Sequence, residues 1–193
     1  RPTGSKNKDK TTVILNPELQ RIQKMLEALL VRIRGVLQPI YLTLDGHFGN
    51  YPAFQMVRQC GLHWISKLRW DAALCFPYTG DYKGQGPHRK YGKRVDYQQI
   101  PEKYLKTTRV EDGIQTCTYQ AQLLHADFPT ALNVVIIVKT NLQTQAWSHV
   151  ILFSSDLELS AELLVEYYCL RFQIEFNFRD AKQYWGLEDF MNV

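Results

Sequence analysis

Between residues 39 and 155 the chain carries a series of short apolar runs, each closed by turn residues. PIYLTLDG (39–46) reads as a buried strand ending in an Asp-Gly turn, and LHWISKLRW (62–70) alternates like a strand. TTRVEDGIQTCTYQAQLLH (107–125) divides into two strands about the turn EDG. ALNVVIIVKT (131–140) and SHVILFSS (148–155) are strands as well. Runs of this kind satisfy their backbone groups by pairing with one another, so the chain is committed to a sheet.

Helical patterns flank and interrupt these strands. PELQRIQKMLEALLVRIRGV (17–36) repeats Leu, Ile and Met at three and four, with Asn16 placed to cap it and Pro17 at its first position. NYPAFQMVRQCG (50–61) reads as a helix closed by Gly61. SAELLVEYYCLRFQIEFNFRDAKQYWG (160–186) reads as one long helix from the cap Ser160 to the stop Gly186. The stretch from about 76 to 110 is rich in Gly, Pro and turn residues, and strands follow it. The order predicts an α/β fold with an inserted β-rich subdomain. Residues 1–12 form a polar, mobile tail, 13–75 and 148–193 the core, and 76–147 the insertion.

The last helix carries an ordered set of polar side chains. At roughly 100° per residue, Tyr168, Arg171, Glu175, Arg179 and Lys182 share one stripe within about 80°. Leu170, Ile174, Phe178 and Trp185 gather on another side, expected to face the core. A solvated face laced with i,i+4 pairs such as Arg171 with Glu175 would give the same spacing. Asp45, just past the carboxyl end of an apolar run, occupies a position where α/β sheets gather ligands and catalytic groups, though Asp45-Gly46 serves equally as a plain turn.

The formal net charge is +4, compatible with a polyanionic partner. Basic residues crowd 78–109, a Tyr-, Gly- and Lys-rich segment that suits either a phosphate track or a solubilising loop. The cysteines Cys60, Cys75, Cys117 and Cys169 form no CxxC pair, which argues against structural zinc. Cys60, Cys75 and Cys169 lie among apolar residues and read as buried free thiols of a reducing compartment. Trp70 and Trp147 are expected in the core. No apolar run approaches the length of a transmembrane helix.

Tyr168-x2-Arg171-x3-Glu175-x6-Lys182 resembles the Y-R-E-K signature of the IS4-type DDE transposases. The text around it, LFSSDLELSAELLVEYYCLRFQIEFNFRDAKQYWGLEDF, is similar to that family's C-terminal catalytic segment. YLTLDGHFGN followed by GLHWISKLRWDAAL resembles the strand bearing the second catalytic aspartate and the strand after it. The resemblance implies an RNase H-like core in which three carboxylates hold two Mg²⁺ ions, with Mn²⁺ as substitute. It makes Asp45 the second catalytic, metal-binding acid and Glu175 the third. It gives Tyr168, Arg171 and Lys182, with Arg179 beside them, to the DNA phosphates. It implies double-stranded DNA as partner, both insertion-sequence ends and target, a homodimer within a synaptic complex, and a prokaryotic cytoplasmic location.

The family's first aspartate lies on an earlier strand. The acids before Asp45 are Asp9, in a lysine-rich tail, and Glu18 and Glu27, in the first helix. The first strands of the RNase H-like core and their acid are therefore expected to be missing. The chain reads as the C-terminal part of a catalytic domain, or as a catalytically dead DNA-binding remnant. An acid–base pair of Asp45 and Glu175 acting on sugars would call for aromatic platforms, and the basic stripe beside Glu175 argues against it.

Overall fold

A computed structural model describes residues 13–81, 84 and 87–185. The expected mobile tail at 1–12 and the stop at Gly186 lie outside them. Helix α1 spans Pro17–Ile33, with the Asn16 Oδ1 accepting a hydrogen bond from the Leu19 amide at 2.8 Å. Helix α2 spans Tyr51–Gln59, capped in the same way by Asn50 at 3.1 Å from the Ala53 amide. Each side-chain cap satisfies one of the amides that the first helical turn leaves without a partner.

Eight strands make one sheet: β1 Tyr41–Thr43, β2 His63–Leu68, β3 Leu74–Pro77, β4 Tyr91–Arg94, β5 Leu105–Glu111, β6 Ile114–His125, β7 Leu132–Asn141 and β8 Trp147–Ser154. Their order is β1-β2-β8-β7-β6-β3-β4, with β5 also paired to β6. Only β1 and β2 run parallel; the other pairings are antiparallel. After β2 the chain departs through β3–β7 and returns as β8 beside β2. The β5–β6 turn holds Asp112 at φ 49° and Gly113 at φ 73°. Two consecutive positive φ values give the turn whose twist suits a hairpin, so the EDG reading holds for a stated reason.

Side chains on a strand alternate between faces, and in the central part of the sheet both faces are covered. Trp64, Val134, Ile136, Ile151 and Phe153 pack with Phe54, Met56 and Val57 of α2 and with Leu19 of α1. Ile65, Val135 and Leu152, the alternate residues of the same strands, pack with Leu164 and Tyr168 of helix α3, Ala161–Leu170. This explains the unbroken apolar run of β7. The buried Asn133 fixes α3 to the sheet: its Nδ2 donates to the carbonyls of Leu159 at 2.7 Å and Asp156 at 3.0 Å.

The expected long C-terminal helix is two. Helix α3 ends at Leu170 and helix α4, Gln173–Trp185, follows. At the junction the amides of Arg171, Phe172, Ile174 and Glu175 bond to carbonyls three residues back, which tightens the turn and interrupts the α-helical ladder. One helical wheel therefore does not run from Tyr168 to Lys182. The expected core stripe is corrected with it. Leu170, Ile174, Phe178 and Trp185 are 54–83% exposed, because α4 buries none of its residues against the described sheet. Cys169 is exposed rather than buried, while the other three thiols are partly covered, and none of the four is paired.

Strand β1 is half-buried and at the edge of the described sheet, not a fully buried strand. Its Tyr41 hydroxyl donates to Asp156 Oδ2 at 2.6 Å, tying β1 to the loop before α3. That bond, with burial and the carboxylate charge, pushes the Tyr41 hydroxyl up to about 12. Burial tends to raise Asp156, but the Tyr41 hydroxyl and the Glu158 amide outweigh it and hold the carboxyl below its usual range. A depressed carboxyl stabilises the fold above its unfolded value, about 3.9, and loses that contribution as pH falls through the folded one. A raised phenol stabilises below about pH 10 and loses its contribution as pH rises through about 12. Tyr41→Phe should therefore cost about 1–2 kcal/mol near neutral pH and flatten both limbs of the stability profile in denaturant titrations. An unchanged acid limb would show the bond to be idle.

Candidate functional site

Asp45 stands two residues beyond β1. The Leu44 amide still bonds the Ile65 carbonyl at 3.0 Å, so the strand's register carries to the threshold of the acid. The Asp45 carbonyl then accepts from the hydroxyl of the fully buried Ser66 at 3.0 Å. A short 3-10 turn, Gly46–Phe48, begins at Asp45, whose Oδ1 accepts from the Gly46 amide at 2.6 Å. Gly49 closes the turn where an added Cβ would meet the Lys67 carbonyl at 2.5 Å, so no larger residue fits this path. The result is an exposed carboxylate on a fixed backbone.

The end of α3 meets this turn. Thr43 Oγ1 donates to the Tyr167 carbonyl at 3.4 Å, and the Tyr41 and Tyr167 rings lie 5.3 Å apart. Tyr168 is only 7% exposed, its ring in the cluster beneath α3. Burial pushes its hydroxyl above the usual range; Arg171 opposes the shift and the Asp45 charge adds to it. The phenol therefore stands within electrostatic reach of both Asp45 and Arg171. Arg171 Nη1 donates to Glu175 Oε1 at 3.3 Å, the i,i+4 pair read from the spacing. The Arg171 guanidinium sits over the Phe172 ring at 4.4 Å and lies 5.6 Å from the centre of the Tyr168 ring, three residues back. Its side chain is 17% exposed, and its buried Nε has no hydrogen-bond partner in the structure. A cleft of about 360 Å³ runs between Tyr41, Thr43, Tyr167, Leu170, Arg171 and Ile174.

Two predicted residues stand further along α4. Arg179 pairs with Asp180 at 3.6 Å and lies 5.0 Å over the Phe176 ring, while Lys182 is exposed one turn on. The structure joins Tyr168, Arg171 and Glu175 at the end of α3 and the start of α4, with the Asp45 charge acting on the Tyr168 hydroxyl, and leaves Arg179 and Lys182 on the exposed helix that extends from there. Asp45 and Glu175 offer hard carboxylate oxygens, the donor type that Mg²⁺ and Mn²⁺ take. Among the described residues no group of three or more His, Cys, Asp or Glu side chains stands together as a metal site. Glu18 and Glu27 are exposed on α1, which packs on α2. The outer edge of β1, beside Asp45, has no partner strand among the described residues.

Trp70 and Trp147 correct the expectation of a core role, at 69% and 40% exposed. Trp70 falls in the turn after β2, and Trp147 opens β8 where the sheet is uncovered. Trp147, His149 and Tyr97 stack in sequence, with centroids 5.3 and 4.4 Å apart, and His149 Nε2 meets the Trp70 carbonyl at 2.8 Å. Spacing could have suggested the Trp147–His149 pair, two residues apart on one face of a strand. Tyr97 comes from a distant segment that no local pattern points to.

No curated protein matches the chain. The family model described as the transposase DDE domain matches residues 17–191, nearly its whole length. The chain belongs to the family of DDE-domain transposases.

Proposed function

We propose that this chain carries the DNA-gripping half of an IS4-type transposase site, with Asp45 and Glu175 as two of its three acids. What supports the reading is the run of interactions from Asp45 through Tyr168 and Arg171 to Glu175. In this reading the Y-R-E part of the signature and the strand-end acid serve one site. On the same reading the described residues of 13–75 and 148–185 belong to an RNase H-like core and those of 76–147 to its β-rich insertion.

When bound, two divalent cations would supply Lewis-acid stabilisation of the attacking and leaving oxygens in strand cleavage and transfer. Asp45 and Glu175 would hold them. Arg171, Arg179 and Lys182 place positive charge along one end of α3 and the length of α4, where duplex phosphates would lie. The Tyr168 hydroxyl, which feels the charges of both Asp45 and Arg171, would help to orient the phosphate-binding group beside the acid. Arg171 also neutralises Glu175 while DNA is away, so each partner of the pair is freed by a ligand of its own, phosphate for one and cation for the other.

With no third acid grouped with Asp45 and Glu175 among the described residues, the polypeptide is expected to bind DNA without cutting it. Arg171→Ala should weaken binding to a labelled duplex and lower the slope of log K against log salt by about 0.9, one phosphate contact. Glu175→Gln should leave binding intact or tighten it, since it removes a negative charge facing phosphate. Nicking of the same duplex with Mg²⁺ or Mn²⁺ should stay at the metal-free baseline. Robust cleavage that depends on Glu175 would show that another acid completes the site. Binding indifferent to both substitutions would remove α3–α4 from the DNA surface.

A further inference from the structure

The positive charge of this protein is concentrated in one short stretch, away from the acids just described. Residues 89–109 hold seven basic side chains against two acidic ones, Asp96 and Glu102, whereas the remainder of the chain holds sixteen basic and seventeen acidic. The whole of the net +4 therefore arises here. All seven are exposed. None makes an ion pair among the described residues, whose pairs involve Arg69, His125, Arg171 and Arg179.

The topology gathers them. Strand β4 is the last of the sheet, and β5 pairs with β6 on the side away from β7. Both strands and the segment joining them thus lie along one border. Aromatic rings hold several of the cations in place. Arg89 stands 5.0 Å over the Tyr78 ring and Lys103 4.9 Å over Tyr104. Tyr104 in turn stacks on Phe76 of β3, centroids 5.0 Å apart and planes 13° from parallel. A cation resting on a ring has given up part of its freedom before a ligand arrives, and its outer side still faces solvent.

Edge strands carry lysine to prevent pairing with other chains, and one or two charges suffice for that. A net excess of five, without an ion pair among the described residues and in a chain that is otherwise slightly acidic, exceeds the need. We infer that the β4–β5 border is a second, sequence-independent track for the phosphate backbone of duplex DNA, separate from the Asp45–Glu175 site. The identity of the polyanion as DNA rests on the proposed function; the location rests on charge and topology alone.

The test uses the whole chain and a labelled random-sequence duplex, with anisotropy read across a salt series. A variant combining Arg89→Gln, Lys93→Gln, Lys103→Gln and Lys106→Gln should lower the log K–log salt slope by about 3–4 and weaken binding roughly 10²–10⁴-fold near 0.1 M salt. Glu102→Gln should tighten binding, a gain that misfolding does not produce. Coincident thermal transitions of variant and parent confirm that the exposed changes leave the fold intact. A fourfold variant that keeps the parental slope while Arg171→Ala changes it would overturn the track and leave the transposase reading standing. Failure of the parent chain to bind any duplex at low salt would overturn both.

Discussion

Trp64→Ala is expected to cost about 3–5 kcal/mol of folding stability, the largest single loss in the molecule. Trp64 is fully buried at the meeting of Phe153, Phe54 and Phe128, with ring centroids at 4.5, 5.8 and 6.1 Å. Truncation removes these edge-to-face and tilted contacts and leaves a cavity that β2 cannot close, since Ile65 is pinned to the opposite face of the sheet. Trp64→Phe should cost much less, about 1–2 kcal/mol. The indole Nε1–H is buried without a hydrogen-bond partner, and phenylalanine discards that unpaired donor along with the lost volume. Denaturant midpoints at constant slope measure both. Near-equal losses for the two variants would show that ring volume here is not the determinant. The effect reaches the site, because Ile65 and Ser66, the next two residues, hold Leu44 and Asp45.

Local chemistry made much of the fold legible. Asn16 with Pro17, and Ser160, whose Oγ accepts from the Leu163 amide at 3.3 Å, cap the helices that the sequence assigns to them. The EDG turn and the run of β7 followed from turn geometry and two-sided burial. The sheet order did not. That β8 returns beside β2 is decided by packing between residues about ninety positions apart, as in the Trp64 amide bond to the Ser155 hydroxyl. The break after α3 was hidden for a different reason. No Gly or Pro marks Arg171-Phe172, and the apolar pattern runs straight through it. What separates the helices is tertiary: α3 buries Leu164 and Tyr168 on the sheet, and α4 buries nothing on it.

The candidate site divides along the same line. Asp45 was visible because a strand end and an Asp-Gly turn coincide in sequence. The Arg171–Glu175 pair was visible as an i,i+4 spacing. Tyr41 and Asp156, which hold β1 against the α3 loop, were invisible, being 115 residues apart and meeting only after both strands are in place.

Asp45 and Glu175 are proposed to share one divalent-cation centre. This sharing is tested most directly by Mn²⁺ binding to the whole chain, followed by electron paramagnetic resonance, in the parent, Asp45→Asn, Glu175→Gln and the double variant. Two carboxylates at one cation-binding centre are coupled, so either substitution alone should weaken Mn²⁺ binding by about tenfold or more, with the double variant little worse than the singles. Arg171→Ala should move affinity the other way, by releasing Glu175 from its ion pair. Mn²⁺ affinity that survives both Asp45→Asn and Glu175→Gln unchanged, or losses that simply add, would contradict a shared site.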